Sequence, residues 1–211
     1  MDVVLVSLSF PVWLPVMAAV AAWVKLVSPG PVFFKQKRIG HNGKIFNIMK
    51  FRSMRHNSNT HKHEHHVGNL IATGGAMHKL DATDNRIIKG GKVLRALGLD
   101  ELPQLFNVLA GEMSLTGPRP CTLKEFENFT EEQRERINAL PGLTGHWQTN
   151  GKNNTTFKRM IELDIFYIRN QSMLLDIQII LRTPFALLKQ YSDSKKSNET
   201  YSINSKSTSV S

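Results

Sequence analysis

The sequence predicts a mixed α/β (α+β) protein, a small globular domain with short strands that is held at a membrane by an N-terminal broken helix and amphipathic helices. Three observations predict it. Residues 3–24 are an uncharged run of 22 residues between Asp2 and Lys25, long enough as a helix to cross about 30 Å of hydrocarbon. Strand-like alternation in Ile45-Phe46-Asn47-Ile48-Met49-Lys50-Phe51 gives way further on to helical apolar spacing. The 27 Lys and Arg exceed the 17 Asp and Glu, a formal charge of +10 on 211 residues, and such a surplus implies an anionic partner. No RNA-binding signature, zinc-finger spacing or clear helix-turn-helix pattern accompanies that charge, so no nucleic acid is expected. A membrane surface or phosphorylated small molecules remain. The length suits one domain with appendages. The single cysteine, Cys121, excludes an intramolecular disulfide and is expected simply to pack.

Pro11 and Pro15 interrupt the apolar run, since each removes a backbone donor and crowds the preceding turn. A kinked spanning helix, a helical hairpin returning to the leaflet it entered, and a cleaved signal peptide compete for the segment, with spanning the default by length and the two prolines narrowing the gap. No basic n-region or small-residue cleavage site supports the last. Trp13 and Trp23 suit headgroup depth, and Lys25, Lys35, Lys37 and Arg38 after the segment make the globular part cytoplasmic. Ser28-Pro29-Gly30-Pro31 ends the helix. An extended segment follows from Val32, then a turn over residues 40–44, then the strand 45–51, which delivers Lys50 and Arg52 near its end. Residues 56–80 are polar and His-rich. With no structural frame for a metal, they read as a flexible, solvated insertion.

An adjacent acid pair, Asp100-Glu101, precedes an apolar run. Leu99, Leu102, Leu105, Phe106 and Leu109 have the spacing of a buried helical stripe, and Pro103 suits a first turn. Asp100 then lies at or before a helix N-terminus, where anions are favoured. Neighbours in a helix point about a hundred degrees apart, so the two acids could do different jobs. The competing reading is an N-cap followed by a solvated acid. Arg95 is five residues upstream, close enough to meet a phosphate over Asp100. Arg119, between Pro118 and Pro120, sits on a stiff segment that suits a bidentate phosphate clamp or an ordinary surface arginine. Residues 123–140 are a charged, helix-compatible stretch with a solvated face. Residues 157–169 form a helix with Met160, Leu163 and Tyr167 on one stripe, and residues 172–188 a helix that is either core or rests on lipid. The tail, 191–211, reads as disordered.

Five motifs occur in the order found in one family: Ser28-Pro29-Gly30-Pro31-Val32-Phe33-Phe34-Lys35-Gln36, Lys50-Phe51-Arg52-Ser53-Met54, Asp100-Glu101-Leu102-Pro103-Gln104, Gly117-Pro118-Arg119-Pro120 and Pro141-Gly142-Leu143-Thr144-Gly145. With residues 163–183 continuing the likeness, the chain resembles the bacterial sugar transferases, the monotopic phosphoglycosyl transferases. The resemblance implies an enzyme of the bacterial inner membrane, with its catalytic domain on the cytoplasmic face. Such an enzyme moves a sugar 1-phosphate from a UDP-sugar to a polyprenyl (undecaprenyl) phosphate and releases UMP, the first step of surface-glycan assembly. It implies Asp100 as nucleophile, forming a covalent phospho-sugar intermediate, and Glu101 as the partner of Mg2+ on the diphosphate. Arg95 and Arg119 take phosphate-binding roles, with Lys50 and Arg52 as weaker candidates for the same pocket. It also makes the N-terminal segment, residues 1–27, a re-entrant helix broken at Pro15, ahead of a catalytic domain over 28–190. The membrane-resting helices could support a homodimer. Leu14 stands where a serine often precedes the breaking proline, and Gly98 where serine or threonine is common. A non-catalytic membrane-surface scaffold of the same fold is the alternative.

Overall fold

A computed structural model describes residues 1–55, 84–151 and 155–208; the His-rich segment lies outside them. The N-terminal run forms two helices, α1 (Asp2–Leu8) and α2 (Phe10–Val27), parted at Ser9. Pro11, at the start of α2, has no N–H to continue the ladder. Side chains add donors at the interruption: the Ser9 hydroxyl joins the Ser9 N–H on Leu5 O, at 2.8 Å, and the Trp13 indole donates to Val6 O at 2.9 Å. This corrects the expected break at Pro15, because α2 runs on through that residue.

One stripe of α2, Trp13, Met17, Val20 and Val24, is buried against the domain, together with Val6 of α1. The remaining faces stay open, Val12 and Leu26 among them. Helix α2 is long and apolar enough to cross a membrane by length and composition.

The next two strands, β1 (Phe33–Ile39) and β2 (Ile45–Phe51), pair antiparallel with Phe33 opposite Phe51 and Ile39 opposite Ile45. Phe46, Ile48 and Phe51 from β2 join the α1–α2 stripe in the larger core. Helix α3 (Gly91–Ala96) follows, then a 3-10 turn at Leu99–Glu101, then α4 (Gln104–Leu109). The expected five-residue stripe is only partly right. Leu105 is buried and Leu99 and Leu102 pack on the core, but Phe106 and Leu109 face outward and Gln104 and Asn107 face in. Phe106 lies edge-on to Trp13 at 5.7 Å, and Asn107 is drawn in by hydrogen bonds to β2.

Strands β3 (Ser114–Thr116) and β4 (Gly142–Thr144) pair in parallel. They approach so closely at Gly117 and Gly142 that a Cβ on either would collide with the backbone of the other. The helix-compatible stretch 123–140 is helical only in short pieces. Thr122 and Thr130 each start a new one with a capping box, giving α5 (Leu123–Glu127) and α6 (Glu131–Arg134), then a 3-10 turn at Glu135–Asn138. Nor is the face solvated throughout, since Glu125 and Arg136 are buried.

Helix α7 (His146–Thr149) and helix α8 (Phe157–Arg169) build the second core, where Trp147, Phe157, Met160, Ile161 and Leu163 meet Ile39, Cys121 and Phe129. Helix α9 (Met173–Thr208) continues beyond the predicted helix into the residues expected to be disordered. Once its first turns are anchored, each further residue adds a backbone hydrogen bond without a new nucleation cost.

Candidate active site

The acid pair sits on its own short turn. Gly98, with φ +69, reverses the chain after α3, and Glu101 N donates to Gly98 O at 3.0 Å to close the 3-10 turn. A side chain would be strained at that φ. The turn packs against β2 and α3. Asp100 is buried at 7 % exposure, whereas Glu101 is more open and reaches Lys50, whose Nζ donates to Glu101 Oε1 at 2.7 Å. Neighbouring acids on one turn therefore have different surroundings.

Asn107 fixes the strand that carries Lys50. Its Oδ1 accepts from Met49 N at 3.1 Å, while its Nδ2 donates to Asn47 O at 2.9 Å and to Glu112 Oε2 at 2.6 Å. A side-chain amide thus replaces a strand partner along β2, and the residue next to Met49 is Lys50. A polar residue among helical apolar positions was the only sequence signal for this role.

Arg95, in the last turn of α3, donates to Ser53 Oγ at 3.3 Å, just beyond β2. Arg52 is turned the other way. It is buried at 5 % exposure and donates to the carbonyls of Pro29 and Ser28, the latter at 2.7 Å, bracing the end of α2. Its predicted place in a phosphate pocket is at odds with this geometry.

Arg119 belongs to a buried ionic network. Its Nη1 donates to Glu125 Oε1 at 3.0 Å, and Arg38 Nη1 lies 3.7 Å from Glu125 Oε2 while donating to Pro120 O at 2.9 Å. Arg136 Nη2 donates to Arg119 O at 2.9 Å and to Asp164 Oδ2 at 2.5 Å. Burial opposes charge on Glu125, but the guanidiniums of Arg119 and Arg38 outweigh it and hold the carboxyl down at about 2. Burial, reinforced by Arg119, lowers Arg38 to about 10; Glu125 and Glu101 pull it the other way. Burial also pushes Asp164 up to about 6 against the pull of Arg136. Glu125, Arg38, Arg136 and Asp164 escaped the sequence reading because charged residues in a polar stretch carry no mark of burial.

Lys50, Asp100, Glu101 and the end of α3 bearing Arg95 therefore meet on neighbouring elements, with Arg38 within electrostatic reach of Glu101. Arg119 is held in the adjoining network. Among the described residues no three His, Cys, Asp or Glu side chains are grouped as a metal cage. Two consecutive carboxylates fit the magnesium mode in which one or two protein oxygens share the ion with substrate phosphates and water.

The domain is thus helix-rich with short strands, carries a carboxylate pair beside a lysine, and bears an apolar N-terminal helix. The bacterial sugar transferase family matches residues 1–190, and the chain belongs to that family. It is 46 % identical over 155 residues to a galactosyl transferase, CpsE, of Streptococcus agalactiae, covering 73 % of this chain and 34 % of that protein. It is 37 % identical over 184 residues to the exopolysaccharide production protein ExoY of Sinorhizobium fredii, covering 86 % of this chain and 81 % of the relative. With the UDP-glucose:undecaprenyl-phosphate glucose-1-phosphate transferase of Xanthomonas campestris the identity is 41 % over 184 residues, 83 % of this chain and 35 % of that one. The chain thus spans about a third of the length of the first and third of these relatives.

Proposed function

We propose that this chain transfers a sugar 1-phosphate from a UDP-sugar to a polyprenyl phosphate, undecaprenyl phosphate in a bacterial membrane, with release of UMP. The observation that carries the reading is the buried Asp100 beside a Glu101 already met by Lys50 at 2.7 Å. The family supports it, as do relatives whose names specify undecaprenyl-phosphate sugar-phosphate transfer.

An Asp100 carboxylate oxygen attacks the β-phosphorus of the donor. The bond from that phosphorus to the bridging oxygen breaks, and UMP leaves with the electron pair. An oxygen of the lipid phosphate then attacks the same phosphorus, the aspartyl–phosphorus bond breaks, and Asp100 returns as a free carboxylate. Two displacements at a carboxylate replace one difficult transfer. Phosphate charge crowding a carboxylate nucleophile must be neutralised, and Lys50 on β2 and Arg95 at the end of α3 are cations placed to do so. Arg119 is the next candidate, oriented by Glu125. A magnesium ion held by Glu101 and the diphosphate oxygens would add Lewis-acid stabilisation of the same charge.

The membrane reading has its own support. Ser114 Oγ donates to Asp2 Oδ2 at 2.6 Å, at the start of α1, and Trp23 Nε1 donates to Lys89 O at 3.2 Å, near the end of α2. Both ends of the apolar segment are bonded to one domain, which favours a segment that enters and leaves by the same face. Lys25 and the basic residues after it favour the cytoplasmic face.

Intact-protein mass after incubation with magnesium and a panel of UDP-sugars tests the reading. One donor should add the mass of one sugar phosphate to the wild type and none to Asp100→Asn. An adduct that persists in Asp100→Asn overturns the assignment of the nucleophile. Absence of adduct and of UMP with every donor favours the non-catalytic scaffold.

A further inference from the structure

Helix α9 has two opposite faces. Asp176, Ile179, Thr183, Leu187 and Gln190 recur at i, i+3, i+7, i+11 and i+14 and face the domain. Asp176 Oδ1 accepts from Thr116 Oγ1 at 2.7 Å and from Tyr167 OH at 2.6 Å, Ile179 is buried at 1 % exposure, and the Thr183 hydroxyl meets that of Thr144 at 2.8 Å. Leu174, Ile177, Leu181, Phe185 and Leu188 repeat the same spacing two residues earlier, about 200° away round the helix, and all are exposed.

The docking face ends at the segment that delivers the acid pair. Gln190, at 5 % exposure, donates from Nε2 to Arg95 O at 3.0 Å and to Ala96 O at 2.9 Å. These carbonyls lie at the end of α3, where the helix offers no further amides to them. Leu187 lies over the next bend, its Cδ2 3.1 Å from where a Cβ on Gly98 would stand. Gln190 and Leu187 therefore brace the backbone from Arg95 to Gly98, immediately before Asp100.

We propose that Gln190 is a positioning residue, holding the Arg95–Gly98 backbone so that Asp100 and Arg95 keep their reacting geometry, and thereby coupling the seating of α9 to catalysis. This rests on the transfer reading only for its effect on turnover. The backbone effect stands on geometry alone.

The test compares the wild type with Gln190→Leu, which removes the donors, and Gln190→Lys, which keeps a donor that can reach carbonyls. Amide hydrogen exchange and sugar-phosphate transfer are measured on the full chain in detergent. In Gln190→Leu, amides of residues 97–102 should exchange at least tenfold faster while those of α8 stay protected, because two hydrogen bonds to the carbonyls ending α3 are lost. Turnover should fall about tenfold with little change in KM for the donor, the pattern of a lost transition-state alignment. Gln190→Lys should recover most of both. Unchanged exchange at 97–102 overturns the proposal, as does faster exchange spread evenly over the chain or a variant that fails to fold. If the wild type transfers no sugar phosphate, the transfer reading fails while the exchange comparison still decides the role of Gln190.

Discussion

Glu125 is an acid at 2 % exposure that keeps its charge because Arg119 and Arg38 face it. Its carboxyl is held at about 2, below the ordinary 4.5, so its contribution to stability is complete above pH 4.5 and is lost as pH falls towards 2. A shift of that size corresponds to roughly 3 kcal/mol. Glu125→Gln should remove this portion of the acid sensitivity, so that the urea midpoint of the variant falls less steeply than that of the wild type between pH 4.5 and 2.5. At pH 7 the variant should be less stable by about 3 kcal/mol, since two enclosed guanidiniums lose their counter-charge. Equal acid sensitivity in both proteins would mean that the network is not held by Glu125. The same residue illustrates what sequence could not convey. Its neighbours Glu127, Glu131 and Glu132 have the same chemistry, and only the approach of Arg38 from β1 and of Arg119 decides which of these acids is enclosed.

At the scale of elements, Asn107 joins α4 to β2 through three hydrogen bonds. Asn107→Leu keeps the approximate volume but leaves Met49 N, Asn47 O and Glu112 without this partner. A loss of about 3 kcal/mol in unfolding free energy is expected, at roughly 1–3 kcal/mol for each buried group left unsatisfied. Lys50 should also be released from Glu101, so that the variant retains donor binding less well than its stability predicts. Chemical denaturation and donor titration on the same preparation check both. The bounds of strand β2 and helix α8 were legible from their apolar patterns, and Met160, Leu163 and Tyr167 repeat along one buried face of α8, but β2 alternates in burial only as far as Ile48, with Ile45 exposed and Phe51 buried out of phase. The α4 stripe was misread where pattern and burial disagree, with Asn107 inside and Phe106 outside. Asp100 and Glu101 were legible through their motif, but the separate turn that carries them depends on Gly98 and on the packing of α9, whose pairing with a segment some ninety residues earlier no local pattern records. The break at Ser9 was hidden for a related reason. Two prolines gave equivalent sequence signals, and the donors that stabilise the interruption, Ser9 and Trp13, belong to the first of them.

At the scale of the molecule, the exposed apolar side chains among the described residues lie largely on α1, α2, the start of β1 and one face of α9, while the other face of α9 is fastened to the globular domain. Such a concentration exceeds the scattered exposure of an ordinary soluble surface and marks contact with lipid or protein. The formal charge of +10 favours an anionic lipid surface. Contact through apolar side chains and attraction through charge can be separated. Leu181 and Phe185 are 64 % and 73 % exposed on α9, so Leu181→Gln with Phe185→Gln removes apolar contact without altering charge or domain packing. Each side chain is worth about 1.5–3 kcal/mol when buried in lipid, so partitioning onto vesicles containing anionic lipid should fall about a hundredfold or more. Raising the salt should weaken wild type and variant by the same factor, because the electrostatic part is shared and screened alike. Vesicle flotation across a salt series reads both effects. Undiminished flotation of the double variant would mean that the α9 stripe faces something other than lipid, and a changed salt dependence would mean that the substitutions had altered the electrostatic attraction as well.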